Sequence, residues 1–383
     1  MLTFSRQQLI GILFSLLMFI GFLSYEYTIY RHAYQAMILS IFILGVIIII
    51  LGTTESNIPF YLKALRNNNI IFVLSSSMLL STLLSSLTVG LVTYHSLFSV
   101  LLIIFTFYIF FLLLPTLLNN LDQKARKLSS LITFFSAIGI IIGMKGNFLG
   151  YSPTHYPRVS SIFFDPNYFG TLCAIGFILC MSNKGIYRLF AFINLLALYF
   201  SGSRAAMISL FIVVFVFYFH KKKWNKKTLL SFVALCIAGY LSLTFLLNTG
   251  YFRFYNGLSS RDYLWELSFN IIKEQPIWGY GHGSVAGVLQ NIGASISSSH
   301  NAYLDFIITY GYPTFFLYSF VIIKAFYIGA KNNIPQYVLK SAFLLCISAN
   351  SISINLGGLG ITSLLFTLFL GICNASNYKS FSE

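Results

Sequence analysis

The chain has 383 residues, of which 57% are hydrophobic and only 9% are charged, with a formal net charge of +15. About a quarter of the residues of an ordinary soluble protein are charged, so this composition excludes a soluble globular domain. The excess of Lys and Arg is accounted for by the predicted membrane topology, so it gives no reason to infer nucleic acid as a partner.

Apolar runs recur along the whole chain, and each is long enough to cross a bilayer core of about 30 Å as a helix. This pattern predicts an all-α polytopic membrane protein with about 12 transmembrane helices in a single transmembrane domain, residues 1–383. No cleavable signal is expected, because the first apolar run leads into further spans without a small-residue cleavage site. The predicted spans are 8–23, 36–52, 70–92, 97–118, 128–143, 163–181, 185–200, 204–219, 228–247, 300–328, 336–353 and 359–373.

The distribution of basic residues predicts the orientation of these spans. Most of the 24 Lys and Arg residues fall in or beside alternate loops if the N-terminus is cytoplasmic. By the positive-inside rule, both termini are then cytoplasmic. The outer side carries a smaller loop at 144–162 and a large loop at 248–299. Polar residues of the second half of the chain collect on this outer side.

The turn Ser201-Gly202-Ser203-Arg204 separates two apolar runs. Ser203 is a suitable N-cap for the span that begins at Arg204. A helix N-terminus offers free N–H groups and a partial positive charge, so an arginine beside it makes an anion site. An interfacial arginine that only snorkels to headgroups is the simpler interpretation. The serine and glycine residues around Arg204 favour a functional one.

The large outer loop contains a predicted surface helix. Residues 259–262 have the pattern of a capping box with Asp in place of Glu, an apolar stripe follows, and Pro276 ends the helix. We expect this helix to lie along the membrane surface with Trp265 at the headgroup level. Arg261 in its first turn either pairs with a neighbouring acid or binds an anion. The glycine-rich stretch Gly279–Gly283 that follows is expected to be flexible.

His300 begins a predicted span and is accompanied by Asn301 and Asp305. The latter two lie four residues apart, so they share one helix face. A lone interfacial histidine is usually structural, but three polar groups at one helix start favour a functional site. No metal-binding or nucleotide-binding motif occurs in the sequence, so neither a metal nor a cofactor is predicted.

Weaker candidates lie upstream in the outer segments. Arg158 precedes Asp165-Pro166-Asn167, a helix start with proline in the first turn. Asn167 either closes that helix end or contacts a substrate, and both interpretations stay open. Arg253 in the large loop is a further candidate of lower rank.

These pieces, taken in order, resemble the O-antigen ligase and O-antigen polymerase family over about residues 140–325. The resemblance implies an all-helical, membrane-embedded glycosyltransferase of the C type (GT-C-like) in the bacterial inner membrane, with its active site facing the periplasm. It implies a metal-independent, inverting reaction whose donor is a glycan linked to undecaprenyl pyrophosphate. The matching pieces are Ser201–Arg204, Ser260-Arg261 to Trp265, Pro276 to Gly281, His300 to Asp305 with Gly311, and Arg158 with Asp165-Pro166-Asn167.

The resemblance also implies roles for individual residues. Arg204 and Arg261 hold the pyrophosphate and stabilise its charge as it leaves, because a guanidinium binds phosphate in bidentate fashion. His300 activates the acceptor hydroxyl, as general base or as the group that orients it. Asn301 and Asp305 set the tautomer of the imidazole. The remaining substrate contacts are expected from Arg158, Asn167, Arg253 and Tyr303.

The acceptor is left open by the sequence. A polymerase uses another lipid-linked repeat unit, whereas a ligase uses lipid A-core; the Asp-Pro-Asn and Ser-His-Asn-x-Tyr-Leu segments favour the polymerase. A chain-length regulator is a candidate partner, beside the lipid membrane itself. A transporter or flippase is a third possibility, for which two related halves with interrupted helices would be typical. No internal repeat is found in the sequence, which disfavours it.

Overall fold

The structure is a computed structural model that describes residues 6–24, 31–52, 58–89, 94–118, 120–145, 158–161, 163, 165–220, 261–293, 298–332, 334–358 and 360–377. Within these ranges the chain forms helices and no strand. The chain divides into two compact units, one of residues 1–131 with 263–383 and the other of residues 132–262. The single transmembrane domain and the two outer loops stay predictions.

The helices follow the predicted apolar segments closely. A span is predicted at 228–247, which lies outside the described residues, and the other predicted spans each coincide with helix. The helices are α1 (Arg6–Ser24), α2 (Arg31–Gly52), α3 (Ile58–Arg66), α4 (Asn69–Val89), α5 (Tyr94–Phe107), which continues through a π-helical stretch (Tyr108–Leu113) into α6 (Leu114–Leu117), α7 (Leu121–Lys145), α8 (Pro166–Met181), α9 (Tyr187–Ser201), α10 (Arg204–His220), α11 (Arg261–Glu274), α12 (Val285–Asn291), α13 (Ala302–Lys331), α14 (Gln336–Ser348) and α15 (Ile361–Ala375).

Two helical stretches, Ser96–Leu117 and Ala302–Lys331, are long and apolar enough to cross a membrane. Eight further apolar helical stretches of 10–17 residues occur among the described residues. The all-helical fold is therefore confirmed, and the number of twelve spans stays a prediction. Helix α3 is an addition to the predicted elements, because its sequence lies in a loop between two predicted spans.

Helix α15 forms the centre of the larger unit, because every residue from Ile361 to Ala375 is buried. A helix that is apolar all round belongs in such a core position. It packs against α13, α14 and the π-helical stretch. Gly371 permits the last of these contacts, since a Cβ at this position would lie 2.6 Å from the carbonyl oxygen of Phe111.

Helix α13 is broken at Gly311, where φ is 76° and ψ is 172°. A regular helix would pair the Tyr312 N–H with the Ile308 carbonyl, and the break prevents this. Pro313 has no N–H, so the Thr309 carbonyl also lacks a helical donor. The predicted span at 300–328 coincides with this helix, and the break at Gly311 is a feature that was not predicted from the sequence. Two carbonyls and one N–H are left to find other partners.

The segment Pro276–Gly281 supplies those partners with its own backbone. It lies against the break as a turn at 276–278 followed by Gly279–Gly281, so the glycine-rich stretch that begins within it is docked at this end, whereas the sequence predicts a flexible stretch. Backbone groups that are removed from water must be hydrogen-bonded, which makes this docking a requirement of the break. The bonds run from Tyr280 N–H to Ile308 O (2.8 Å), from Gly281 N–H to Thr309 O (2.9 Å) and from Tyr312 N–H to Pro276 O (2.9 Å).

Close backbone approach explains why glycines stand at 279 and 311. A Cβ at Gly279 would lie 2.6 Å from Ile308 O, and one at Gly311 would overlap Ile277 O. Both glycines also have positive φ, 66° and 76°. On its other side the segment is held by α4, where the Ser85 hydroxyl donates to Gly279 O at 2.9 Å. Ser81 of α4 donates to the carbonyl oxygen of Trp278.

Gly279→Ala should therefore destabilise the protein by about 2 kcal/mol or more, because positive φ and overlap with the α13 backbone both oppose a methyl group. The measurement is the apparent melting temperature of the purified protein in detergent. Gly287→Ala is the matched control, since Gly287 lies within α12 with nothing within 4 Å of the added Cβ. Equal melting temperatures for the two variants would contradict the docking described above.

Candidate functional site

The Ser201–Arg204 turn joins α9 to α10 by a left-handed residue. Gly202 has φ 58°, and its N–H donates to Tyr199 O at 3.0 Å. Ser203 precedes α10, and its hydroxyl oxygen accepts the Ala206 N–H at 3.4 Å, as the N-cap prediction requires. Arg204 is consequently the first residue of α10, at the end of the helix where the partial charge is positive.

Arg158 clamps this turn to the start of α8. Its Nε donates to Ser201 O at 2.8 Å, and its terminal NH2 group donates to Asn167 Oδ1 at 2.9 Å. Gly202 leaves room for the guanidinium stem, because a Cβ there would lie 3.2 Å from Arg158 Cγ. Arg158 and Asn167 thus hold one another as well as the ends of two helices. Their contacts to a substrate stay predictions.

The start of α8 is capped as its sequence predicts. Asp165 is the N-cap, with its Oδ1 accepting the Asn167 N–H at 2.7 Å, and Pro166 is the first helical residue. Gly170 then brings α8 against the Ser201–Ser203 turn, because a Cβ at this position would lie 2.7 Å from Ser201 Oγ and Ser203 Cβ. Two helix N-termini, those of α8 and α10, are thereby packed together within the smaller unit.

Arg261, the first residue of α11, joins this group electrostatically. Burial lowers the pKa of its guanidinium; the Asp165 carboxylate raises it, and the Arg204 guanidinium lowers it further. Arginine stays charged at any working pH, so the residues Arg204, Arg261 and Asp165 combine two cations with one anion. An excess of guanidinium charge at helix N-termini is suited to binding an anion with several oxygens. We call these three residues together with Arg158 and Asn167 the arginine cluster.

His300 belongs to the larger unit and stands directly before α13. It has φ 54°, a left-handed conformation that costs a non-glycine residue about 1–2 kcal/mol. Asn301 is the N-cap of α13, and its Oδ1 accepts the N–H groups of Tyr303 (3.0 Å) and Leu304 (3.3 Å). Strain of this kind persists where neighbouring bonds hold it, and it is typical of functional sites.

Asp305 is buried one turn into α13 and faces the loop that holds His300. Its carboxylate accepts the Ser299 N–H at 2.9 Å and the Ser353 hydroxyl at 3.5 Å. It also interacts electrostatically with His300. The predicted pairing of acid and imidazole therefore has a physical basis, whereas the tautomer stays a prediction. Ser353 was missed from the sequence, because it is 48 residues away and belongs to no motif.

Tyr303 and His282 have structural partners. The Tyr303 hydroxyl donates to Cys346 O at 2.6 Å, between α13 and α14, and its contact with substrate stays a prediction. His282 Nδ1 lies 2.8 Å from the Tyr310 hydroxyl. Burial lowers the pKa of His282 to about 4, so the imidazole is neutral at pH 7. In the sequence, His282 is distinguished only by the glycines around it.

The predicted site residues fall into two groups. The arginine cluster lies in the smaller unit, and His300, Asn301, Tyr303 and Asp305 lie in the larger one. Arg253 and the two serines of the predicted capping box, 259 and 260, lie outside the described residues. No group of three or more His, Cys, Asp or Glu side chains that could hold a metal ion occurs in the part of the chain that the structure describes.

Comparison with known proteins gives one match. The family model described as O-antigen ligase matches residues 189–319, a range that includes Arg204, Arg261, the segment Pro276–Gly281 and His300. No curated protein and no solved structure matches the chain. The matched range lies within the region of the predicted resemblance, which is confirmed.

Substitutions of Asp165 should separate its capping role from its charge. Asp165→Ala loses the bond to the Asn167 N–H, and the loss of an N-cap costs about 1 kcal/mol. Asp165→Asn removes the charge but keeps a good cap, so its apparent melting temperature in detergent should stay close to that of the wild type. An equal loss for both variants would assign the stability to the carboxylate charge beside Arg261 and contradict the capping role.

Proposed function

We propose that this chain is a polysaccharide polymerase, a membrane glycosyltransferase of the O-antigen ligase family, whose family model matches its residues 189–319. The proposed donor is an O-antigen or capsule glycan linked to undecaprenyl pyrophosphate. The proposed acceptor is the end sugar of another lipid-linked repeat unit. The observation that carries this proposal is the arginine cluster, in which Arg261 interacts electrostatically with the Asp165 carboxylate and with the Arg204 guanidinium.

The arginine cluster is proposed to bind the diphosphate of the donor. As the acceptor oxygen attacks the anomeric carbon, the bond from that carbon to the phosphate oxygen breaks, and the diphosphate leaves with the electron pair. Arg204 and Arg261 stabilise this growing charge in a half-buried, water-poor setting, where fixed cations act most strongly. The N–H groups at the start of α10 assist them. Arg158, Asn167 and Arg253 are proposed as further donor contacts.

His300 is proposed to act on the acceptor hydroxyl. A neutral imidazole accepts the hydroxyl proton or holds the hydroxyl in line for attack. Asp305 is proposed to orient the ring, as its interaction with His300 supports. Asn301 fixes the start of α13 beside it and is proposed to contact substrate, as is Tyr303. The reaction is proposed to be inverting and independent of metal ions.

A ligase is the second candidate, because the matched family is described as O-antigen ligase. It would use the same chemistry and transfer the finished glycan to lipid A-core. Proteins of this family are integral to the inner membrane. For this chain we propose a multi-pass arrangement with both termini in the cytoplasm and with the site facing the periplasm. A chain-length regulator remains a proposed partner only.

Alanine substitution of Arg204, Arg261 or His300 should reduce glycan transfer by at least about 10² to 10³-fold, because each removes a group that acts on the reacting atoms. Arg261→Lys should also be impaired, since an ammonium cannot form a bidentate pair with phosphate. Transfer is measured with purified protein and lipid-linked glycan, after immunoblotting has shown equal amounts in the membrane. Lys273→Ala is the control, as this exposed cation lies on the same helix as Arg261. Full activity of all three alanine variants would exclude the assigned roles.

The surface polysaccharide of a deletion strain should distinguish the two acceptors. Loss of a polymerase leaves lipopolysaccharide with core plus one repeat unit, because single units are still transferred. Loss of a ligase leaves long chains attached to the lipid carrier and a core without repeats. The measurement is gel electrophoresis of lipopolysaccharide together with analysis of the carrier-linked fraction. We expect core plus one repeat unit. Long carrier-linked chains would instead indicate that the protein is a ligase and not a polymerase.

A further inference from the structure

Helix α3 has three distinct faces, although it contains only nine residues. One face is attached to the protein, where Ala64 is fully buried and packs with Ala375 of α15. Just beyond the C-terminal end of α3, the side chain of Asn68 donates to Ala64 O at 2.7 Å. The other two faces are exposed, and they differ in chemistry.

The second face is apolar and exposed. Ile58, Leu62 and Leu65 follow a spacing of four and three residues, so they line one side of the helix. The exposed fractions of these three large aliphatic side chains are 43%, 62% and 43%. A contiguous apolar surface of this kind normally marks contact with a membrane or a partner.

The third face is cationic. Lys63 and Arg66 are exposed in the last turn, and α3 carries no acidic residue. At 100° per residue they lie about 110° around the axis from the apolar face. A third cation joins them from α13, because Lys324 Nζ donates to Asn67 O, just beyond the end of α3, at 3.2 Å. The three positive charges therefore lie at the C-terminal end of α3, where Leu62 and Leu65 are also exposed.

We propose that α3 is an interfacial helix that binds an anionic phospholipid. Its apolar face inserts among acyl chains, and Lys63, Arg66 and Lys324 bind the headgroup phosphate. An apolar face next to a basic one is the arrangement by which in-plane helices bind membranes, and the chain has helices long and apolar enough to cross one. The positive charge selects an anionic lipid over a zwitterionic one. This surface shares no residue with the arginine cluster, so its test does not depend on glycan transfer.

The test uses the full chain, purified in neutral detergent and titrated with phosphatidylglycerol or phosphatidylcholine under native mass spectrometry. The wild type should bind phosphatidylglycerol more tightly. Lys63→Gln with Arg66→Gln should weaken phosphatidylglycerol binding by about 25-fold, about fivefold for each cation, and leave phosphatidylcholine unchanged. Each single variant should lose about fivefold. Leu62→Gln with Leu65→Gln should weaken the binding of both lipids, because it removes acyl-chain contacts.

Two controls keep the outcome specific. Lys184→Gln with Arg188→Gln removes the same charge from another exposed site on the side predicted to be cytoplasmic, and it should change phosphatidylglycerol binding less than about twofold. Lys63→Arg with Arg66→Lys keeps the charge and should leave phosphatidylglycerol binding unchanged. An equal loss in both glutamine double variants would overturn the proposal, as would equal binding of the two lipids by the wild type. A wild-type dimer abolished by the leucine substitutions would also overturn it, because α3 would then join two copies.

Discussion

The broken helix α13 is the constraint on which the larger unit depends. Its break at Gly311 exposes two carbonyls and one N–H, which the backbone of Pro276–Gly281 pairs. At the other end of the half-helix, the Ala302 N–H donates to Ala349 O, and Asn301 caps the first turn. The half-helix that follows His300 is thereby held by backbone bonds at both ends. Such support fixes the residue proposed to act on the acceptor, His300, more firmly than a free loop would.

The smaller unit fixes its arginines by a different device. Buried polar side chains tie α7, α8 and α9 together: Asn194 accepts the Ser136 hydroxyl at 2.8 Å and donates to Thr133 Oγ1 at 2.8 Å. Gly176 allows this approach, since a Cβ there would lie 2.6 Å from Asn194 Oδ1. At the end of α9, Arg158 joins the turn to α8. The cationic groups are thus carried by packed helix ends, so little reorganisation is needed when an anion binds.

Positive charge serves different purposes along this chain. Most Lys and Arg residues mark the loops predicted to be cytoplasmic, where they direct topology. Those of α3 border an exposed apolar face, and we assign them to lipid. The arginine cluster instead lies at half-buried helix N-termini beside the Asp165 carboxylate, and we propose that it binds the diphosphate. The local surroundings of each cation, and not the net charge of +15, separate these roles.

Hydropathy was sufficient to locate the long apolar helices, because a span in lipid must be apolar along its length. Local sequence was sufficient to predict the helix start at Asp165 and the cap Ser203, since each cap acts within three residues. The capping role of Asn301 was not predicted. Helix α3 was not predicted, because it is too short to be recognised as a span. Its contacts with α15 and α13 are long-range and cannot be inferred from local sequence. The break in α13 was missed for a similar reason. Its backbone groups are paired by a segment about thirty residues earlier, and such long-range pairing leaves no local periodicity in the sequence.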